Sequence, residues 1–131
     1  MQNYLVTAAA WLEIVAGAIL VILPDIACRL LFRATLDGLA WPLAHWVGIA
    51  VLALGIACLP SKTTELQGRT VLALFVYNIC VAVLLLRLGT TAVLRGPLLW
   101  PAAILHSIIS LALLLLLFQR DYKPVQPSDR K

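Results

Sequence analysis

Tyr4-Leu-Val-Thr-Ala-Ala-Ala-Trp-Leu-Glu13-Ile-Val-Ala-Gly17-Ala-Ile-Leu-Val-Ile-Leu23 decides the fold. Its twenty residues hold one charge, Glu13, and Pro24-Asp25 end it. About 20 residues at 1.5 Å per residue cross some 30 Å of hydrocarbon. In lipid the backbone must satisfy its own hydrogen bonds, so the stretch is a helix. Three further apolar runs of the same kind follow, at 43–59, 70–88 and 98–118. The expected fold is all-α: an antiparallel bundle of four transmembrane helices forming one domain over residues 1–122. A polar tail with two prolines, 123–131, completes the chain.

Composition agrees. Of 131 residues, 63% are apolar and 12% charged. That is too little charge to clothe a water-soluble domain of this length. The formal net charge is +4, and four of the ten basic residues, Arg120, Lys123, Arg130 and Lys131, lie at the C-terminal end. Without a basic helix or interleaved aromatic residues, this reads as a topology signal and a headgroup contact, not as a nucleic-acid surface. Six Lys and Arg fall on the side of the termini and the 60–69 loop, against four (Arg29, Arg33, Arg87, Arg95) on the other. The expectation is a multi-pass protein of the bacterial inner membrane with both termini cytoplasmic. Trp41, Trp46 and Trp100 mark one membrane face, Tyr4 and Tyr122 the other.

Between the first two spans, Asp25, Arg29, Arg33 and Asp37 recur every four residues, a polar stripe on a helix. The spacing predicts a short amphipathic helix over about 25–37 in the membrane interface, with Asp25 capping its start and Gly38 its end. Arg29 and Arg33 are its interfacial basic residues. This helix either covers the mouth of the bundle or docks a partner.

The residues that carry chemistry are few. Counted from the helix ends, Glu13, Asn78 and His106 come within roughly 5 Å of one another in depth, near the midplane. Tyr77 adjoins Asn78, and Ser110 shares a helix face with Ala102 and His106. Ala9, Glu13 and Gly17 line one face of the first helix, small residues beside an acid, as at a helix–helix contact. A bare carboxylate in hydrocarbon costs several kcal/mol unless it is protonated or partnered. The cluster is therefore either a register-fixing hydrogen-bond network or a proton or cation site. Ala44, Gly48 and Gly55 give the second span a small-residue face suited to packing inside the bundle. His45 sits near the start of that span, about 7 Å from the depth of His106, which argues against two ligands of one haem iron. The three cysteines, Cys28, Cys58 and Cys80, form no CxxC pair and read as packing residues. Phosphate-binding loops, G-x-S-x-G and H-E-x-x-H are absent, so no metal site, cofactor or enzymatic activity is expected.

Two resemblances follow from these motifs. Trp11-Leu12-Glu13, Ala16-Gly17, Pro24, Leu30-Leu31, Gly48, Tyr77-Asn78 and Gly96-Pro97-Leu98-Leu99-Trp100-Pro101 resemble a group of small bacterial inner-membrane proteins of unassigned function. Leu12-Glu13-Ile14-Val15-Ala16-Gly17 is similar to the first helix of the small multidrug resistance transporters. That likeness implies a dimeric four-helix exchanger with Glu13 as its proton site. The third span departs from it, with Tyr77 and Asn78 where that family has a tryptophan, and Ile22 lies near the place of a lysine. Two functions are expected from different classes. One is a non-enzymatic accessory or scaffold subunit, contacting lipid and other membrane subunits or its own copies. The other is a small proton-coupled transporter using Glu13.

Overall fold

A computed structural model describes residues 2–59, 64–91 and 95–121. Five helices form the described chain: α1 Gln2–Ile22, α2 Pro24–Phe32, α3 Ala40–Ala57, α4 Thr64–Thr90 and α5 Leu99–Asp121. Four of them contain stretches long and apolar enough to cross a membrane: Tyr4–Ile22, Ala40–Ala57, Gly68–Thr90 and Leu99–Gln119. The chain is a multi-pass, all-α membrane protein. The tail 123–131, Lys62 and Tyr122 lie outside the described residues.

Prolines set the punctuation. Pro24 has no N–H to give, and Leu23 leaves the helical region (φ −133°, ψ 53°), so α1 stops and α2 restarts with Pro24 in its first turn. α3 and α5 both open with a Trp-Pro pair, Trp41-Pro42 and Trp100-Pro101, the proline again in the first turn where its missing N–H is harmless. All four tryptophans are exposed on the bundle surface, as are Val15, Ile49, Ile56 and Ile108. In lipid this is the expected outer face.

The helices associate as two tight pairs, α1 with α3 and α4 with α5, which meet through thinner contacts of α1 with α4 and α5. Gly17 explains the first pair. A β-carbon there would run into the Leu52 backbone nitrogen and lie 2.8 Å from the Gly48 carbonyl oxygen. At Gly55 it would lie 2.7 Å from the Ile14 nitrogen. Backbone thus packs on backbone, as small residues permit in membranes. The expected small-residue face of the second span lies against α1, inside the bundle.

The two ends of the bundle differ. Toward the chain termini, Val6, Ala10, Val71, Leu74 and Leu113 of α1, α4 and α5 form a buried core with Cys58, which caps α3. Toward α2 a cavity opens, bordered by residues of all five helices.

α2 is shorter than the spacing predicts. It ends at Phe32, because Arg33 turns left-handed (φ 57°) and caps it with its own N–H on the Arg29 carbonyl. Asp25 and Arg29 therefore share a helix, but Arg33 and Asp37 do not continue its stripe. Asp25 is not the cap: its carboxylate accepts from the Leu36 N–H at 3.4 Å instead. The freed carbonyls of the last turn find partners across the fold. Gly96 N–H donates to the Leu31 oxygen at 3.0 Å and Leu98 N–H to the Leu30 oxygen at 2.9 Å. This clasp ties the α1/α3 pair to the α4/α5 pair at the α2 end. Gly96 is required by it, since a β-carbon there would strike the Leu30 carbonyl oxygen. Gly96→Val is expected to break the clasp, read as faster hydrogen exchange at the Gly96-position and Leu98 amides with the four long helices still protected.

Candidate functional site

Glu13, Asn78 and His106 converge from α1, α4 and α5 into one hydrogen-bonded chain. Asn78 is its centre. Asn78 Nδ2 donates to Glu13 Oε1 at 3.1 Å and to the Leu74 carbonyl oxygen at 3.0 Å. Asn78 Oδ1 stands 2.7 Å from His106 Nδ1. Glu13 and Asn78 are both 0% exposed, so water does not supply missing partners from the surface. Yet Glu13 Oε2 is buried with no hydrogen-bond partner. The Tyr77 phenol stands beside the same carboxyl and interacts with it. Its ring also meets His106 edge-on, with centroids 6.2 Å apart.

Ser110 behaves differently. It is buried, but its hydroxyl donates to the His106 carbonyl oxygen at 2.7 Å and so serves its own helix, not the chain of Glu13, Asn78 and His106. Arg29 and Arg33 are exposed at the α2 end, away from the centre, and neither forms an ion pair among the described residues. His45 is interfacial: its Nδ1 lies 2.9 Å from the Trp41 carbonyl oxygen and its ring stacks on Trp41 at 4.8 Å. The three cysteines are free thiols. Burial, and then the neighbouring Asp25, push the Cys28 thiol above its ordinary pKa, so it is no activated nucleophile. No group of three His, Cys, Asp or Glu converges among the described residues.

Spacing alone does not reveal the cavity. About 430 Å³ of space lies against Glu13, Tyr77 and His106, walled by Leu20, Val51, Leu85 and Leu105. Leu31 and Phe32 of α2 roof it. A second space of about 370 Å³ shares Ala16, Ile19 and Ala102 with it and runs under Leu30 toward Pro101. Both are lined almost wholly by hydrocarbon. Glu13, Tyr77 and His106 are the polar residues that border the first; the second is bordered by none.

The site and the bundle together define a multi-pass helical membrane protein with an acid–amide–imidazole centre held inside one four-helix unit. Comparison with family models, curated proteins and solved structures returned no match.

Proposed function

We propose that the protein is a small, non-enzymatic transporter that couples solute movement to a proton on Glu13. One observation carries the reading: a fully buried carboxyl, one oxygen of which has no hydrogen-bond partner, on a residue that borders an apolar cavity. A network that only fixed helix register would need Oε1, which Asn78 already satisfies. The second oxygen adds desolvation cost and no contact. An ionised carboxylate here has no cation among its hydrogen-bond partners, whereas the neutral acid avoids the charge cost. A rearrangement on solute binding that opens Glu13 to a partner changes that balance, which is what coupling to a proton requires. The likeness of the Glu13 segment to small multidrug resistance transporters points the same way.

The test uses proteoliposomes with a trapped pH dye and an imposed proton gradient, screened against lipophilic amines, alcohols and acids. The wild-type protein is expected to pass protons with at least one class. Glu13→Gln is expected to lose that flux while eluting and melting as a folded bundle. Undiminished flux in Glu13→Gln, or none in the wild type with any class, refutes the proposal.

A second reading is an accessory subunit of a larger complex in the bacterial inner membrane, with cytoplasmic termini. It is favoured by α2, which places exposed Ile26 and Leu30 beside exposed Arg29 outside the four-helix packing. A stoichiometric partner co-purifying in native-lipid nanodiscs, and lost on Ile26→Glu/Leu30→Glu, is the expected result of that reading.

A further inference from the structure

We infer that the crevice beneath α2 holds one acyl chain of an anionic phospholipid, with the lipid phosphate between Arg33 and Arg95. The crevice, about 370 Å³, is a trough that follows the helix axes. Its α5 wall is Leu98, Pro101, Ala102 and Leu105, one stripe at i, i+3, i+4 and i+7. Its α1 wall is Ala16, Ile19 and Leu20, again one stripe. From Leu98 to Leu105 the trough runs about 10 Å at 1.5 Å per residue. α2 closes its upper end with Ala27, Leu30 and Leu31. No lining side chain carries a polar atom, so a polar solute would lose its water and find no partner. The long side stands open to the bilayer, since Ile19, Leu30, Leu98 and Leu105 are exposed on the bundle surface. A hydrocarbon chain lying here meets three helices, whereas on a single convex helix face it meets one. Each added wall adds dispersion contacts.

The charge lies at the same end. Leu98 N–H donates to the Leu30 oxygen at 2.9 Å and both residues line the trough, so the clasp is its upper rim. Arg95 and Arg33 flank this rim. Arg95 precedes Gly96, Arg33 follows Leu31 by two residues, and Gly96 N–H donates to the Leu31 oxygen at 3.0 Å. Both arginines are exposed, and neither forms an ion pair among the described residues. Arg95 Nε donates to the Gly89 oxygen at 3.0 Å, which leaves its two terminal nitrogens as donors. The other charged residues at this end are Arg29, Arg87, Asp25 and Asp37, so the surplus is positive. The Asp25 carboxylate is turned to the Leu36 N–H. Arg29 lies on the face of α2 opposite Ala27 and Leu31, where it adds to the field and not to the rim. Guanidinium groups hold phosphate through paired N–H donors. A phospholipid joins that phosphate to a chain that descends from the rim toward the midplane, as the trough does. A headgroup with its own ammonium would bring a cation to a positive surface, so the anionic lipid is preferred. Neither Glu13, Asn78 nor His106 lines the trough, so this assignment and the transport reading stand or fall separately.

The experiment photolabels the full-length protein in phosphatidylcholine nanodiscs containing a trace of phosphatidylglycerol with a diazirine in one acyl chain. Mass spectrometry maps the adducts. Adducts at Ile19, Leu98 and Leu105 are expected to exceed those at Ile49 and Ile56, exposed residues of α3, by about fivefold, the worth of one arginine near a membrane surface. Giving the probe a phosphocholine headgroup should cut the trough labelling by a similar factor. Arg33→Gln/Arg95→Gln should bring the phosphatidylglycerol probe to within about twofold of the phosphatidylcholine one. Unlabelled phosphatidylglycerol should compete, whereas inorganic phosphate at constant ionic strength should not, because it brings no chain. Even labelling of the trough and of α3 would mean ordinary boundary lipid and overturn the assignment. Equal labelling by the two headgroups, or displacement by inorganic phosphate, would overturn it too. So would a stoichiometric polypeptide that cross-links to Leu98 and Leu105, because the trough would then belong to a partner helix. The wild-type map and headgroup ranking decide the matter even if the double variant fails to fold.

Discussion

Asn78→Leu is expected to destabilise the bundle by roughly 2–4 kcal/mol, more than any other single polar substitution in it. The leucine removes three hydrogen bonds but leaves the Leu74 carbonyl within its own helix ladder. What remains exposed to hydrocarbon is Glu13 Oε1 and the His106 Nδ1 hydrogen, each costing about 1–3 kcal/mol when bare and buried. Removing both ends of a bond is cheaper than removing one, so Asn78→Leu/Glu13→Leu should recover part of the loss. Unfolding by steric trapping in bicelles, run as a double-mutant cycle, reads this directly. A cost below about 1 kcal/mol for Asn78→Leu would show that the chain of Glu13, Asn78 and His106 contributes little, the ordinary result for an average membrane hydrogen bond.

Gly17→Leu is expected to do more damage still, because it strikes backbone. The new side chain must enter where the Leu52 nitrogen and the Gly48 oxygen already lie, and neither can rotate away. Overpacking a core costs about 1–3 kcal/mol where side chains can yield, and more is expected here. The α1/α3 pair must separate, and Glu13, one turn from Gly17, is drawn from Asn78 with it. Ala53→Leu is the matched control: it adds the same side chain to an exposed position of α3 and should melt within a few degrees of wild type. Thermal unfolding in detergent, followed by size exclusion, separates the two. Equal melting of both variants would mean that the close approach of α1 and α3 is dispensable.

The sequence made the four helices legible because lipid allows few alternatives: a long apolar run must close its own hydrogen bonds. The meeting of Glu13, Asn78 and His106 was half legible. Rise per residue placed them at one depth, but depth says nothing of which helices are neighbours. That depends on the backbone approach at Gly17 and Gly55, a contact between surfaces far apart in the chain. Ser110 misled because face and depth were right, while a hydroxyl in a helix bonds its own carbonyl ladder as readily as a neighbour. The four-residue spacing from Asp25 to Asp37 overran the true end of α2, since the clasp with Gly96 and Leu98 is a tertiary contact that stops the helix early. The cavity was not legible at all. It is a shortage of side-chain volume between two helix pairs, and no residue type marks a shortage.

The uneven filling of the bundle has a consequence for direction. Among the described residues, the space beside Glu13 has hydrocarbon-lined room on the α2 side and the filled layer of Val71, Leu74 and Leu113 on the other. If the proposed transport holds, these residues would make a cup that loads from the α2 side. Any full crossing must therefore pass through a second shape in which that filled layer parts. The clasp at α2 would then serve as the fixed pivot about which the two helix pairs trade their open and closed ends.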